Sequence, residues 1–275
     1  MLSQPDLIRK SVLYRRQLLS LIKASRAGHT GGSLSCIDIL NVLYNRILRV
    51  SPATFRHPDR DRYIQSKGHS VEALYVVLAD CGFFPVADLA TVNQFNSHLI
   101  GHPTRKVNGI EQNTGALGHG LSLSVGTALG AKLDGRNYRV FTLLGDGELA
   151  EGSNWEAAMC AGHYGLDNLV AIIDRNGLQI TGSTEEVNQL EPLADKFHAF
   201  GFSVRECDGN DTVELTQNLE QVPFENGRPS LLLAKTKKGS GISFMENKVS
   251  WHHRVPNDQE FAQAMEELSA VGAGR

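Results

Sequence analysis

Three carboxylates crowd one short stretch of the chain. In LLGDGELAEG (143–152) an apolar run ends, the backbone turns on Gly145-Asp146-Gly147, and Asp146, Glu148 and Glu151 follow with no Lys or Arg beside them. A loop of this composition either faces water or holds a cation. Thirty positions after Asp146, Asn176 closes the next apolar run. If the two runs are neighbouring parallel strands, a carboxylate and an amide oxygen meet at one sheet edge. With a backbone carbonyl they suit a hard divalent cation, Mg²⁺ first and Ca²⁺ or Mn²⁺ as substitutes, whose remaining ligands come from phosphate and water. Gly145 and Gly147 let such a turn approach phosphate oxygens closely. Gly-Asp-Gly alone is a common turn; the asparagine at this spacing makes the pair informative.

A second element, NTGALGHGLSLSVGTALGAKL (113–133), places Gly115, Gly118 and Gly120 just before a helix of small residues. Backbone N–H groups at such a helix start favour an anion. The spacing matches neither GxxxxGK[ST] nor GxGxxG, which argues against a P-loop and a dinucleotide fingerprint. Histidines form the third group: His29 in AGHTGGSLS, His69 in SKGHS and His102 in IGHPT each follow a glycine. None has the HExxH spacing of a zinc site. Imidazole titrates near neutral pH, so these three read as phosphate ligands and proton carriers.

The elements that must position these groups alternate. Ser3, Pro5 and Asp6 mark a helix start, after which Ile8, Val12, Leu19 and Ile22 fall on one face. Four short apolar runs follow later, at 138–146, 168–176, 202–209 and 229–236, and read as parallel strands buried on both faces. Helical segments at 153–165, 191–201 and 212–222 lie between them. The fold class is therefore α/β, a parallel sheet flanked by helices. Such sheets bind ligands outside the carboxyl ends of their strands, where Asp146, Asn176 and Asp208 sit. No internal repeat or linker divides residues 1–275, so one domain is expected, with residues 267–275 fraying.

Composition narrows the chemistry. The 275 residues are 41% hydrophobic, enough for a sizeable core. A formal charge of −3 from interspersed signs predicts neither nucleic acid nor an anionic membrane as partner. Cys36, Cys81, Cys160 and Cys207 form no CxxC pair and suit a reducing compartment. Basic residues interrupt every apolar patch of the N-terminal segment, which excludes a signal peptide or membrane span there. A cytoplasmic protein acting on small molecules is expected.

Taken in order, GHTGGSLS, SKGHS, GHP, GALGHG and GDG followed by Asn resemble the N-terminal, diphosphate-binding half of transketolase, a thiamine diphosphate enzyme. The resemblance runs from about residue 20 to residue 256, and the chain looks like the N-terminal subunit of a split transketolase. It implies the thiamine diphosphate-binding fold, with the pyrimidine-binding and C-terminal domains on a partner chain, in an assembly of two copies of each. Asp146, Asn176 and the Leu178 carbonyl would be the Mg²⁺ ligands. Gly147, His69 and the segment Gly115, Ala116 and Leu117 would contact the cofactor. His29, His102 and His252 would face the substrate, and Glu151 would lie at the subunit interface, coupled to the partner glutamate that activates thiamine. The implied reaction passes a two-carbon unit from a ketose phosphate to an aldose. Two departures stand out: GALGHG replaces the family's GPLGQG, and in ENKVSWHHRVP His253 follows His252 where the family has Gly. Of that pair, His252 is expected to point inward. The competing readings are the α subunit of a thiamine-dependent 2-oxoacid dehydrogenase or decarboxylase, a non-catalytic cofactor-binding subunit, and a plain metal-dependent hydrolase built on Asp146 and nearby acids.

Overall fold

A computed structural model describes residues 1–273. In chain order it contains α1 (Gln4–Ser25), α2 (Thr30–Val42), β1 (Arg62–Gln65), α3 (Val71–Asp80), α4 (Gly120–Leu133), β2 (Val140–Gly145), α5 (Gly152–His163) and β3 (Leu169–Arg175). A small antiparallel hairpin follows, β4 (Leu178–Gln179) with β5 (Gly182–Ser183). Then come α6 (Thr184–Val187), α7 (Leu193–Ala199), β6 (Ser203–Asp208), α8 (Thr212–Leu219), β7 (Ser230–Lys235) and α9 (Asp258–Ala273). The main sheet has five parallel strands in the order β1-β2-β3-β7-β6.

The strands separate two cores because successive side chains point to opposite faces. Phe141, Leu143, Val170, Ile172 and Leu232 join the core beneath α1, α2 and α3. Val140, Leu144, Ala171, Ile173, Leu231 and Leu233 join the core beneath α4, α5 and α7. β2, β3 and β7 are thus buried on both faces, as their apolar runs predict. β6 is different. It pairs only with β7, and most of its residues are half-buried or exposed, so the expected fully buried strand is an edge strand. Asp208 at its end opens onto a separate cavity with Arg15 and Asn210.

Helix α1 begins where its signals place it: the Ser3 side chain and Asp6 close a capping box, with Pro5 in the first turn. Its deepest residues are Leu7, Tyr14, Leu18 and Ile22, while Ile8 and Val12 are only partly buried. Helix α2 is buried along all thirteen residues, so it has no polar face and no amphipathic period to detect. Strand β1 has four residues, two of them polar or charged at its ends, and gives no apolar run either. The closing segment is helical through Ala273 rather than frayed, and its last two residues lie outside those described.

One buried carboxylate ties the sheet's carboxyl edge together. Asp174, near the end of β3, accepts hydrogen bonds from Ser35 of α2, from Lys67 just after β1 and from Thr236 just after β7. Lys67 also donates to the Gly32 carbonyl, 3.0 Å away. Both partners of the Lys67–Asp174 ion pair are essentially inaccessible to water. Removing one partner of such a pair strands a buried charge, which typically costs about 3–5 kcal/mol. Asp174→Asn is therefore expected to lower the unfolding free energy by that order, read as a lower urea midpoint at an unchanged m-value. Replacing Lys67 and Asp174 together by Met and Leu should restore much of the loss. An unchanged midpoint in Asp174→Asn would show that the pair carries no weight in the fold.

Candidate active site

The carboxyl ends of β1, β2, β3 and β7 lead directly into Lys67-Gly68-His69, Asp146-Gly147, Asn176 and Lys238. Around them lies a cavity of about 270 Å³. His29, His69 and His252 line it from one side, Asp146, Gly147, Asn176 and Leu178 from another, and Gly115 and Leu117 contribute as well. His102, Ala116 and Glu151 are not part of that lining. His102 stands behind Gly115, whose added Cβ would come within 2.6 Å of the imidazole; with φ +137° this position is doubly restricted to glycine. Ala116 is partly buried, and Glu151 is exposed and precedes α5 close to Gly118.

Asp146 is buried at the end of β2. Its Oδ1 accepts from the Gly147 N–H (2.8 Å) and its Oδ2 from the Gly177 N–H (2.6 Å) and Arg175 Nη1 (3.2 Å). Burial, reinforced by the charge of Asp174, pushes its carboxyl above the ordinary range. Asn176 Oδ1 accepts from the Leu178 N–H at 3.1 Å, and the Leu178 carbonyl accepts from Lys238 Nζ at 3.1 Å. Arg175 and Lys238 correct the impression of an acidic turn remote from basic residues, since the fold brings both from other parts of the chain. The turn also does not expose all its acids. Glu148 is 2% exposed, and its carboxylate accepts from Ser66, from the Gly118 N–H (2.9 Å) and from the Gly145 N–H (3.0 Å). It lines the cavity beside Asp146, but its oxygens are taken by these donors, which fasten the glycine segment 115–118 to the end of β2. Asp146, Glu148 and Glu151 therefore do not converge as a metal-hydrolase site would require.

The histidines cluster. Ring centroids lie 5.2 Å apart for His29 and His69, 5.7 Å for His29 and His252, and 5.6 Å for His69 and His252, the last pair stacked. Burial is the first cause that depresses all three, with neighbouring histidines and Lys67 and Lys238 adding to it. His29 falls to about 4, His252 to about 3, and His69 well below its usual value. They are neutral imidazoles at neutral pH, each able to donate one hydrogen bond and accept another. His252 Nδ1 is buried without a hydrogen-bond partner among the described residues. His252 is half-buried and lines the cavity, whereas His253 is exposed, its ring 4.6 Å from that of His29. His102 is exposed, and the protein packed against one side of its ring lowers its pKa by desolvation.

Several site residues lie outside the motifs that the sequence displays. Lys238 is buried in the cavity wall, its ammonium lowered to about 8 by burial and by Lys67. Glu72 accepts from the His29 N–H (3.2 Å) and the Ser33 hydroxyl (3.0 Å), and so holds the GHTGG turn in place. Only burial distinguishes these residues from ordinary surface charges, and the sequence carries no local sign of it beyond one hint, an acid inside the apolar run VEALYVVLA.

This architecture is shared with solved transketolases. The TM-score is 0.88 with the enzyme of Campylobacter jejuni at 29% identity, over 98% of this chain and 43% of that one. With that of Pichia stipitis it is 0.89 at 27% identity, over 95% and 40%. The fold thus defines the class, an α/β domain of the transketolase type. The family model for the transketolase thiamine diphosphate binding domain matches residues 9–271, and the chain belongs to that family. Relatives of matching length are themselves transketolase subunits. One, from the apulose-4-phosphate transketolase of Phocaeicola vulgatus, is 48% identical over 93% of this chain and 91% of that protein. Another, the 6-deoxy-6-sulfo-D-fructose transketolase subunit SqwG of a Clostridium species, is 42% identical over 98% of both. The chain spans less than half of each solved transketolase named above.

Glu72 generates a pH prediction. Burial raises its carboxyl from an ordinary value near 4.5 to about 7, so the neutral form is favoured in the folded chain. Its contribution to stability is full below the unfolded value and is lost as pH rises through the folded one. The stability difference between wild type and Glu72→Gln should therefore fall by about 3 kcal/mol between roughly pH 4 and pH 8. A difference that stays flat in urea titrations across that range would contradict the assignment.

Proposed function

We propose that this chain is the N-terminal, cofactor-binding subunit of a two-subunit transketolase that transfers a two-carbon ketol unit from a ketose phosphate to an aldose, using thiamine diphosphate and Mg²⁺. The observation that carries the reading is the convergence, in one cavity, of the Asp146 carboxylate, the Asn176 amide and the Leu178 carbonyl with Lys67, Lys238 and three neutral imidazoles.

The residues fit a metal-bound diphosphate. An acid, an amide oxygen and a carbonyl form the hard oxygen set that Mg²⁺ takes together with phosphate oxygens. Lys238 already places a cation on the Leu178 carbonyl, which marks that oxygen as directed at positive charge. A second cation beside Asp146 would relieve the desolvation that now raises its carboxyl. Gly147 lines the cavity between Asp146 and the β4 strand, where an added Cβ would approach Gln179 to 2.8 Å, so no side chain can come between its backbone and a ligand. The orphaned Nδ1 of His252 and the two buried ammonium groups are matched to an anionic, hydrogen-bonding ligand.

Asp146, Asn176 and Leu178 would then hold the metal, and His69, Gly115, Ala116, Leu117 and Gly147 the cofactor. When bound, thiamine diphosphate supplies the carbon nucleophile that keeps the two-carbon unit between donor and acceptor. The protein's share is orientation and proton handling. His29, His102 and His252, neutral before substrate arrives, can donate to a substrate carbonyl or hydroxyl and accept the proton released as a carbon–carbon bond breaks. Lys67 and Lys238 keep His29 and His252 from charging prematurely. The exposed Glu151, at the start of α5, is the group through which this subunit would reach its partner, in an assembly with two copies of each chain.

The two relatives of matching length carry the names of apulose-4-phosphate and of 6-deoxy-6-sulfo-D-fructose. Both substrates combine a ketose with an anionic group remote from the carbonyl, and a sugar phosphate is the corresponding substrate class here. A cytoplasmic setting agrees with four unpaired cysteines, and no helix among the described residues is long and apolar enough to cross a membrane.

Asp146→Ala tests the site directly. It should abolish Mg²⁺-dependent binding of thiamine diphosphate in calorimetry while leaving the circular dichroism spectrum unchanged; retained affinity would reject the metal assignment. The subunit reading is tested separately by co-expressing the adjacent reading frame. Ketol transfer is expected from the pair and from neither chain alone, and robust transfer by this chain by itself would contradict it.

A further inference from the structure

We propose that His253 is a specificity-determining residue, which contacts the part of the sugar just beyond the reacting carbons and discriminates straight from branched ketose chains. The inference rests on the transketolase reading above and extends it to a residue outside the cavity lining.

His253 is exposed, yet its ring centroid is 4.6 Å from that of His29, which does line the cavity. It therefore stands at the mouth, on the outer side of His29. His102 is fixed behind Gly115 on the glycine segment. A ligand whose reacting end reaches the half-buried imidazoles of the cavity has its next atoms beside the His253 ring.

The position of His253 is set by rigid neighbours. Trp251, two residues earlier, is buried, and its carbonyl lies where an added Cβ on Gly31 would come within 2.8 Å, which seats this segment on the start of α2. The following Arg254 accepts a 2.6 Å hydrogen bond from the Thr30 hydroxyl through its carbonyl, and its guanidinium lies over the Trp251 ring at 4.3 Å and pairs with Glu260. Arg254 is thus engaged elsewhere, while the His253 ring makes no hydrogen bond to protein among the described residues. An exposed imidazole on an anchored backbone, with both ring nitrogens unengaged by protein, is available to hydroxyls on a sugar. Where a chain branches, the substituents meeting that ring differ in place and in number.

The test uses the reconstituted two-subunit enzyme with four donors: xylulose 5-phosphate, fructose 6-phosphate, 6-deoxy-6-sulfofructose and apulose 4-phosphate. His253→Ala should change the ratio of kcat/KM between the branched donor and the best straight-chain donor by about three- to tenfold, the effect of one lost hydrogen bond. The change should appear mainly in KM, with unchanged calorimetric affinity for thiamine diphosphate. His253→Gln, which keeps a donor and an acceptor, should recover part of the ratio. Ratios that stay within twofold, or an equal loss for all donors, would overturn the proposal. A wild-type pair that transfers nothing from any of the four would instead overturn the transketolase reading, and this inference with it.

Discussion

Everything at the carboxyl edge of the sheet depends on where the charge of Asp174 is neutralised. The carboxylate lies in the sheet interior, where an unpaired charge is not tolerated. Its three side-chain partners come from three segments that line the cavity: Ser35 follows His29, Lys67 precedes His69 and Thr236 precedes Lys238, while Asp174 itself precedes Asn176. Satisfying one buried group thus aligns four otherwise separate stretches of chain. Lys67 keeps its charge because Asp174 is beside it, and its ammonium is raised rather than lowered despite complete burial. Asp174 is held below the ordinary carboxylate range by the same contact and by its hydroxyl donors.

That retained positive charge shapes the cavity above it. Lys238, whose hydrogen bond goes to a carbonyl instead of a carboxylate, is pushed the other way and is ready for an anion. The imidazoles stay neutral because they are buried next to these two ammonium groups. The acidic turn answers the same field with one carboxylate for the cavity and one for the scaffold. Both line the cavity, but Glu148 has both oxygens taken by backbone and hydroxyl donors from the loops on either side. Two acids separated by a single glycine therefore have unlike roles, set by which backbone N–H groups each can reach.

The central strands are legible in the sequence because β2, β3 and β7 are apolar on both faces, and a polar residue, Asp146, Asn176 or Thr236, follows each directly. The motif histidines and the Asp146–Asn176 pair are legible for a related reason: loops at strand ends have few structural causes for such residues. What is not legible is burial without periodicity. Helix α2 is enclosed on every side, β1 is too short and too polar to register, and β6 reads as a core strand although it is the sheet's edge. Lys67, Glu72, Glu148, Asp174 and Lys238 all look like surface charges in the sequence. Their roles follow from partners as far as 139 positions away, a distance over which only the assembled sheet provides information.

At the centre stands one claim, that Asp146, Asn176 and the Leu178 carbonyl jointly hold a divalent cation that anchors a diphosphate at the sheet's carboxyl edge. A crystal grown with thiamine diphosphate and Mn²⁺ tests it most directly through the anomalous signal of the metal. One strong peak bounded by those three oxygens is predicted, with Lys238 displaced from the Leu178 carbonyl. A peak elsewhere, with the three oxygens keeping their present protein partners, would contradict it.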